Sequence, residues 1–259
     1  MKTFFRILLY IILFSLLVGE CAFAEEPKNT PIKVSFEYDR VVNGYKVSGY
    51  FYPCSEDGEW GKVTMNFIRD GKVEFVLHSD YYTCYSTTCG NNHWKNGEHY
   101  VFKYILPEKD NPYYSSNNPL GYHTSFQFYD VNFDGKPELL VSDYSREHGG
   151  NNFNVYSING SSLTHLNYPP YNAICNSCEF YPEHQEIVTF YEDGVWENMK
   201  IVFHKGEPSK VSEKDKLRFS SDSWMKKKAL EALVNTRDFY VQSIEYKMGD
   251  HTIKWLNRQ

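Results

Sequence analysis

The chain has 259 residues, 41% hydrophobic and 17% aromatic, with 27 basic and 33 acidic side chains and a net charge of −6. So much apolar and aromatic matter excludes wholesale disorder, and the length admits one large domain or two modest ones. The acidic balance excludes a nucleic-acid binder, which needs a basic face for the phosphates.

Lys2 and Arg6 precede an apolar run from Ile7 to Val18, and Ala22-Phe23-Ala24 follows before Glu25-Glu26. A charged start, an apolar centre and a small-residue cleavage site predict a secretory signal peptide over 1–24. The run is too short to anchor in a bilayer, which takes about twenty apolar residues. A lipidated Cys21 is the other reading, but Glu20 directly before it suits that cleavage poorly. The expected product is periplasmic or extracellular and has no membrane span once the signal is cleaved. Cleavage removes Lys2, Arg6, Glu20 and Cys21, so the product is one charge more acidic and keeps five cysteines.

After the signal, apolar and polar residues alternate in short runs broken by turn residues, the pattern of half-buried strands. Ile32 to Tyr38 and Tyr45 to Tyr52 flank Val42-Asn43-Gly44 as a first hairpin. Lys62 to Ile68 and Lys72 to Leu77 flank a three-residue loop, Arg69-Asp70-Gly71, as a second. Further strands are predicted at His99 to Leu106, Ser125 to Tyr129, Glu138 to Tyr144, Phe153 to Ile158 and Ser162 to Leu166. Ile187 to Tyr191, Trp196 to Phe203, Phe239 to Tyr246 and His251 to Leu256 complete the set. Asn159-Gly160, Asp193-Gly194 and Gly249-Asp250 supply turns. One stretch has a helical period: Asp222 or Ser223 caps it, and Met225, Ala229, Ala232 and Leu233 share a face. The Lys226-Lys227-Lys228 run inside it reads as a solvated helix face. The fold class is therefore mainly β, an antiparallel sandwich or propeller-like domain with one short helix near the C-terminus. The loop-like stretch from Glu108 to Pro119 divides an N-terminal β-rich region, 25–107, from a region 108–259, unless 30–259 forms one continuous domain.

In an exported chain the five cysteines, Cys54, Cys84, Cys89, Cys175 and Cys178, are disulfide candidates. Cys84/Cys89 and Cys175/Cys178 are the local pairs, and Cys54 with Cys84 or Cys89 remains open. Cys175-Asn-Ser-Cys178 has the spacing of thiol redox enzymes but lacks their strand-to-helix setting. Cys84, Cys89, His93 and His99 have a passable zinc spacing, which oxidising conditions disfavour against a disulfide.

One motif carries chemistry. Asp130-Val-Asn132-Phe-Asp134-Gly135-Lys136-Pro-Glu138 places oxygens at every second residue of a short loop. Calcium takes six to eight hard oxygens, and such a loop can wrap it. Asp130, Asn132, Asp134 and Glu138 would give side-chain oxygens, and Lys136 its carbonyl. Val141 stands where an EF-hand has its closing glutamate, within a run that reads as a strand. The expected site thus lies between two strands and is structural. The alternative is an Asx-rich turn in which the same oxygens accept backbone N–H groups.

Asp130 to Val141, DVNFDGKPELLV, resembles the calcium loop of FG-GAP/VCBS-type β repeats. With HGGNNFNVYSINGSSLTHL, His148 to Leu166, the likeness extends to exported bacterial proteins related to periplasmic lysozyme inhibitors. Some of that group serve as immunity proteins against cell-wall-degrading effectors. The resemblance covers about residues 126–204, and the segment 30–107 matches no family we can name. It implies a calcium-binding module whose partner is a peptidoglycan hydrolase or lysozyme-like effector. In the charged, Gly/Asn-rich loop after the motif, Tyr144, Arg146, Glu147, His148 and Asn151 are the candidate partner contacts.

No G-x-S-x-G, H-E-x-x-H or phosphate-binding glycine loop occurs, so no catalytic residue is assigned and a non-enzyme is expected. The second reading is a secreted hydrolase of envelope polysaccharide. It would draw carboxylates from separate strands, with Glu179, Glu183, Glu186, Glu192 and Asp193 as acidic neighbours.

Overall fold

The computed structural model describes residues 31–90, 93–107, 115–121, 123–143, 152–193, 197–207 and 224–256. The signal segment 1–24, the capping residues Asp222 and Ser223, and the 144–151 loop lie outside them. Strands dominate, as the alternation predicts. In β1 (Val34–Tyr38) and β2 (Lys46–Pro53), every second residue is buried. β3 (Trp60–Arg69), β4 (Lys72–Thr83) and β5 (His99–Phe102) complete a five-stranded sheet in the order β4-β3-β2-β1-β5. Its pairings are antiparallel except that β5 lies parallel to β1.

Two turns in this sheet are tighter than expected. Arg69 pairs with Lys72, so the loop is Asp70-Gly71 alone, and both residues have positive φ, 49° and 74°. Asn43-Gly44 does the same between Val42 and Tyr45, with φ of 48° and 80°. Two successive left-handed residues match the right-handed twist of the flanking strands. The three-residue loops read from sequence are therefore corrected to two. At Gly49 the strands approach so closely that an added Cβ would lie 1.9 Å from the Thr64 carbonyl oxygen.

The second sheet is a meander of β6 (Phe126–Tyr129), β7 (Glu138–Asp143), β8 (Asn152–Asn159) and β9 (Ser162–His165). The third runs β10-β11-β12-β13-β14, all antiparallel: β10 (Glu179–Tyr181), β11 (Glu186–Asp193), β12 (Glu197–Lys205), β13 (Phe239–Met248) and β14 (His251–Leu256). Among the described residues two α-helices accompany them, a single turn α1 (Ser86–Cys89) and α2 (Trp224–Asn235), with a 3-10 turn at Tyr171–Ala173. β10 and α1 escape sequence reading because three or four residues are too few to show a period. No helix among the described residues is long and apolar enough to cross a membrane.

Two cores hold the sheets together, and the middle sheet serves both. On β7, Leu139 and Val141 join the cluster of the first sheet, with Phe36, Phe67, Phe102 and Phe126. Leu140, from the other face, joins the cluster of the third sheet, with Ile201, Phe203 and Val241. A strand covered on both faces needs a continuous apolar run rather than alternation, and Leu139-Leu140-Val141 supplies it. Residues on either side of position 107 thus share one core, and Ile32 to Gln259 forms one compact unit. The α2 face of Met225, Ala229, Ala232 and Leu233 is buried in the second core, as its period predicts.

The first core is built from rings. Phe36 stacks on Phe102 and Phe67 on Phe75, each at 4.5 Å between centroids, and Tyr38 meets Phe126 edge-on at 5.0 Å. Such pairs add roughly 0.5–1.5 kcal/mol each beyond their buried area.

Candidate metal centre

Residues 130–137 connect β6 to β7, whose innermost pair is Tyr129 with Glu138. The loop is pinned by its second and fourth residues. Val131 is fully buried in the second core, and Phe133 packs against the Phe239 ring at 6.3 Å. Sequence reasoning passed over these two anchors; their apolar character inside an otherwise polar loop was the available signal. Phe133 and Gly135 have positive φ, 58° and 83°, which turns the chain back on itself.

The predicted oxygens gather on backbone N–H groups. Asp134 N–H donates to Asp130 Oδ1 at 3.1 Å and to Asn132 Oδ1 at 2.8 Å. Gly135 N–H donates to Asp130 Oδ2 at 2.8 Å, and Lys136 N–H to Asp134 Oδ1 at 2.8 Å. This is the bonding of an Asx-rich turn. Glu138 faces inward, only 3% exposed. It accepts from Val131 N–H at 3.0 Å and from Asn132 Nδ2 at 2.6 Å. Burial pushes its carboxyl up to about 7, the Val131 N–H opposes that shift, and the Asp134 and Asp130 charges add to it.

Among the described residues, no group of three or more His, Cys, Asp and Glu is arranged to hold a metal ion. The donor set nevertheless has spare capacity. An ionised carboxylate offers about four lone-pair sites, whereas the bonds above take one on each Asp130 oxygen and one on Asp134. Asp130, Asn132, Asp134, the Lys136 carbonyl and Glu138 remain the residues that could hold calcium, with hard oxygens of suitable type. Val141 is fully buried on β7 opposite Phe126, far from any ligand role.

The remaining candidate residues disperse or lie elsewhere. Tyr144, Arg146, Glu147, His148 and Asn151 fall outside the described residues. The zinc spacing does not assemble: His93 pairs with Asp57 at 2.8 Å, His99 Nδ1 meets Ser35 Oγ at 3.1 Å, and the Cys89 thiol donates to backbone carbonyls. Cys54 is exposed and Cys84 buried, while Cys175 and Cys178 are both buried with sulfurs 3.3 Å apart. Of the acidic neighbours, Glu179 accepts from the Tyr181 hydroxyl at 3.0 Å, and Glu183 lies 3.8 Å from His184 on the surface. A cleft of about 380 Å³ between α2 and the 167–172 segment is polar, and among its lining residues Glu231 is the one carboxylate. Asn172 and Lys228 already engage Glu231, at 3.3 and 3.2 Å.

A scan against protein-family models and searches of curated proteins and of solved structures find no match to this chain.

Proposed function

We propose that the chain is an exported calcium-binding β protein that works as a protein-binding module, an inhibitor or immunity protein against a cell-wall-degrading hydrolase. The observation that carries the calcium part is the 130–138 loop. Its alternating oxygens stand on one tight, core-anchored turn and keep unused lone pairs. A bound ion would offset the mutual repulsion of Asp130, Asp134 and Glu138 and stiffen the β6–β7 connection. The partner class follows from the family resemblance of residues 126–204 and from the signal-like N-terminus. The active location is then the periplasm or the extracellular medium.

The metal is tested by melting the mature protein against free calcium. Stabilisation should grow with the logarithm of the ion, reaching about 2.7 kcal/mol at a hundred times Kd, and a chelator should reverse it. Asp134→Ala should remove the response; a response that survives places the ion elsewhere. The partner is tested by mixing mature protein with a panel of lysozyme-like hydrolases in calcium, reading turnover and complex formation. Inhibition of at least one is expected, and failure against the whole panel, with no complex, sinks the inhibitor reading.

A further inference from the structure

The Cys175-Asn-Ser-Cys178 segment forms a closed turn. Cys178 N–H donates to the Cys175 carbonyl at 3.0 Å, and Cys175 N–H points at Cys178 Sγ at 3.2 Å. The two sulfurs stand 3.3 Å apart, both fully buried in the second core. The turn is tied down on each side: Phe153 N–H donates to Ile174 O at 2.9 Å, and Phe180 N–H to Asn117 O at 2.6 Å. A turn of this kind holds its end Cα atoms within about 7 Å, the span a disulfide bridges, so side-chain rotation can bring the sulfurs to bonding distance.

We infer that Cys175 and Cys178 join in a buried structural disulfide, leaving Cys54 as an exposed thiol. The bond forms by exchange with an oxidised dithiol or disulfide donor such as oxidised glutathione. One cysteine thiolate attacks the donor's S–S bond, giving a mixed disulfide and releasing one donor thiolate. The second cysteine thiolate then displaces the other donor sulfur. The chain loses two protons and two electrons, and the donor is reduced to two thiols.

Thiol redox enzymes place such a pair at a helix N-terminus, where the dipole acidifies an accessible sulfur. Here the turn leads into β10 and solvent is excluded, which makes a staple rather than a catalyst. Cys84 and Cys89 also bring their thiols within hydrogen-bond reach of each other. The Cys89 thiol donates to the Cys84 and Tyr85 carbonyls at 3.1 and 3.0 Å, and burial pushes the Cys84 thiol well above its ordinary range. The Cys54 sulfur lies 4.0 Å from the neighbouring Ser55 hydroxyl and close to Gly58.

The inference depends on the export reading only for the natural presence of an oxidant, and the test supplies one. Mature protein is refolded with oxidised and reduced glutathione, denatured, alkylated and digested with trypsin. The fragment Glu147–Lys200 contains Cys175 and Cys178 and no other cysteine. It should appear unalkylated and lighter by two hydrogen atoms than its reduced form, while Cys54 should be alkylated even in the native protein. Recovery of that fragment with both cysteines alkylated, or cross-linked to a fragment bearing Cys54, Cys84 or Cys89, overturns the assignment. Failure of calcium or hydrolase binding in the same preparation would leave the disulfide result standing, so the two readings fail separately.

Discussion

At the scale of single residues, burial decides which ionisable groups matter. Tyr38 and Tyr82 share a hydroxyl–hydroxyl hydrogen bond inside the first core, and burial pushes both phenols well above the ordinary value of 10.0. The folded state therefore keeps protons that the unfolded state gives up above about pH 10. Stability associated with this pair is fully present below that pH and is lost as pH rises further. Urea midpoints measured from pH 9 to 11.5 should fall for the parent, and a Tyr38→Phe/Tyr82→Phe variant should show a shallower fall. An unchanged slope would mean that the two hydroxyls reach water. Glu138 shows the same physics in a carboxyl group, since its alternating position in the motif was legible but its inward orientation was not. The direction of a side chain at a strand's first residue depends on which face the neighbouring sheet covers.

At the scale of elements, strand positions were legible because most strands are buried on one face and alternate accordingly. Loop lengths were less so: Arg69 belongs to β3 and Val42 forms a bridge with Tyr45, and only the left-handed pairs Asp70-Gly71 and Asn43-Gly44 make the turns. The parallel pairing of β5 with β1 was also hidden, because parallel neighbours are joined through distant chain and leave no turn signal. β7 is the element on which both cores lean. Leu140→Ala should cost about 2–5 kcal/mol in chemical denaturation, the usual range for a fully buried leucine whose site cannot collapse. Val101→Ala, on an exposed position of β5, should stay within about 0.5 kcal/mol of the parent. Equal costs at the two positions would contradict the layered arrangement.

At the scale of the whole molecule, the middle sheet joins what the sequence suggested as two regions. Phe126, Leu139 and Val141 complete the cluster built by β1 to β5. A fragment spanning 25–107 would expose that face of five strands, with Phe36, Phe67 and Phe102 uncovered. Such a fragment should lack a cooperative thermal transition and bind a hydrophobic dye, whereas the chain from residue 25 to 259 should melt in one step. A sharp, separate transition in the short fragment would restore a domain boundary near 107.

The sequence by itself determined the strand-rich class, the helical face of α2 and the alternate placing of oxygens along the 130–138 loop. Each is written in local spacing: period two, period 3.6, or oxygens at alternate residues. The tertiary structure decided the rest. It brought Leu139 and Leu140 of one strand to opposite cores, turned Glu138 inward, gave His93 to Asp57 and His99 to Ser35, and set Cys175 against Cys178. These depend on which distant surfaces meet, and burial free energy summed over many residues selects that meeting, which no local pattern encodes.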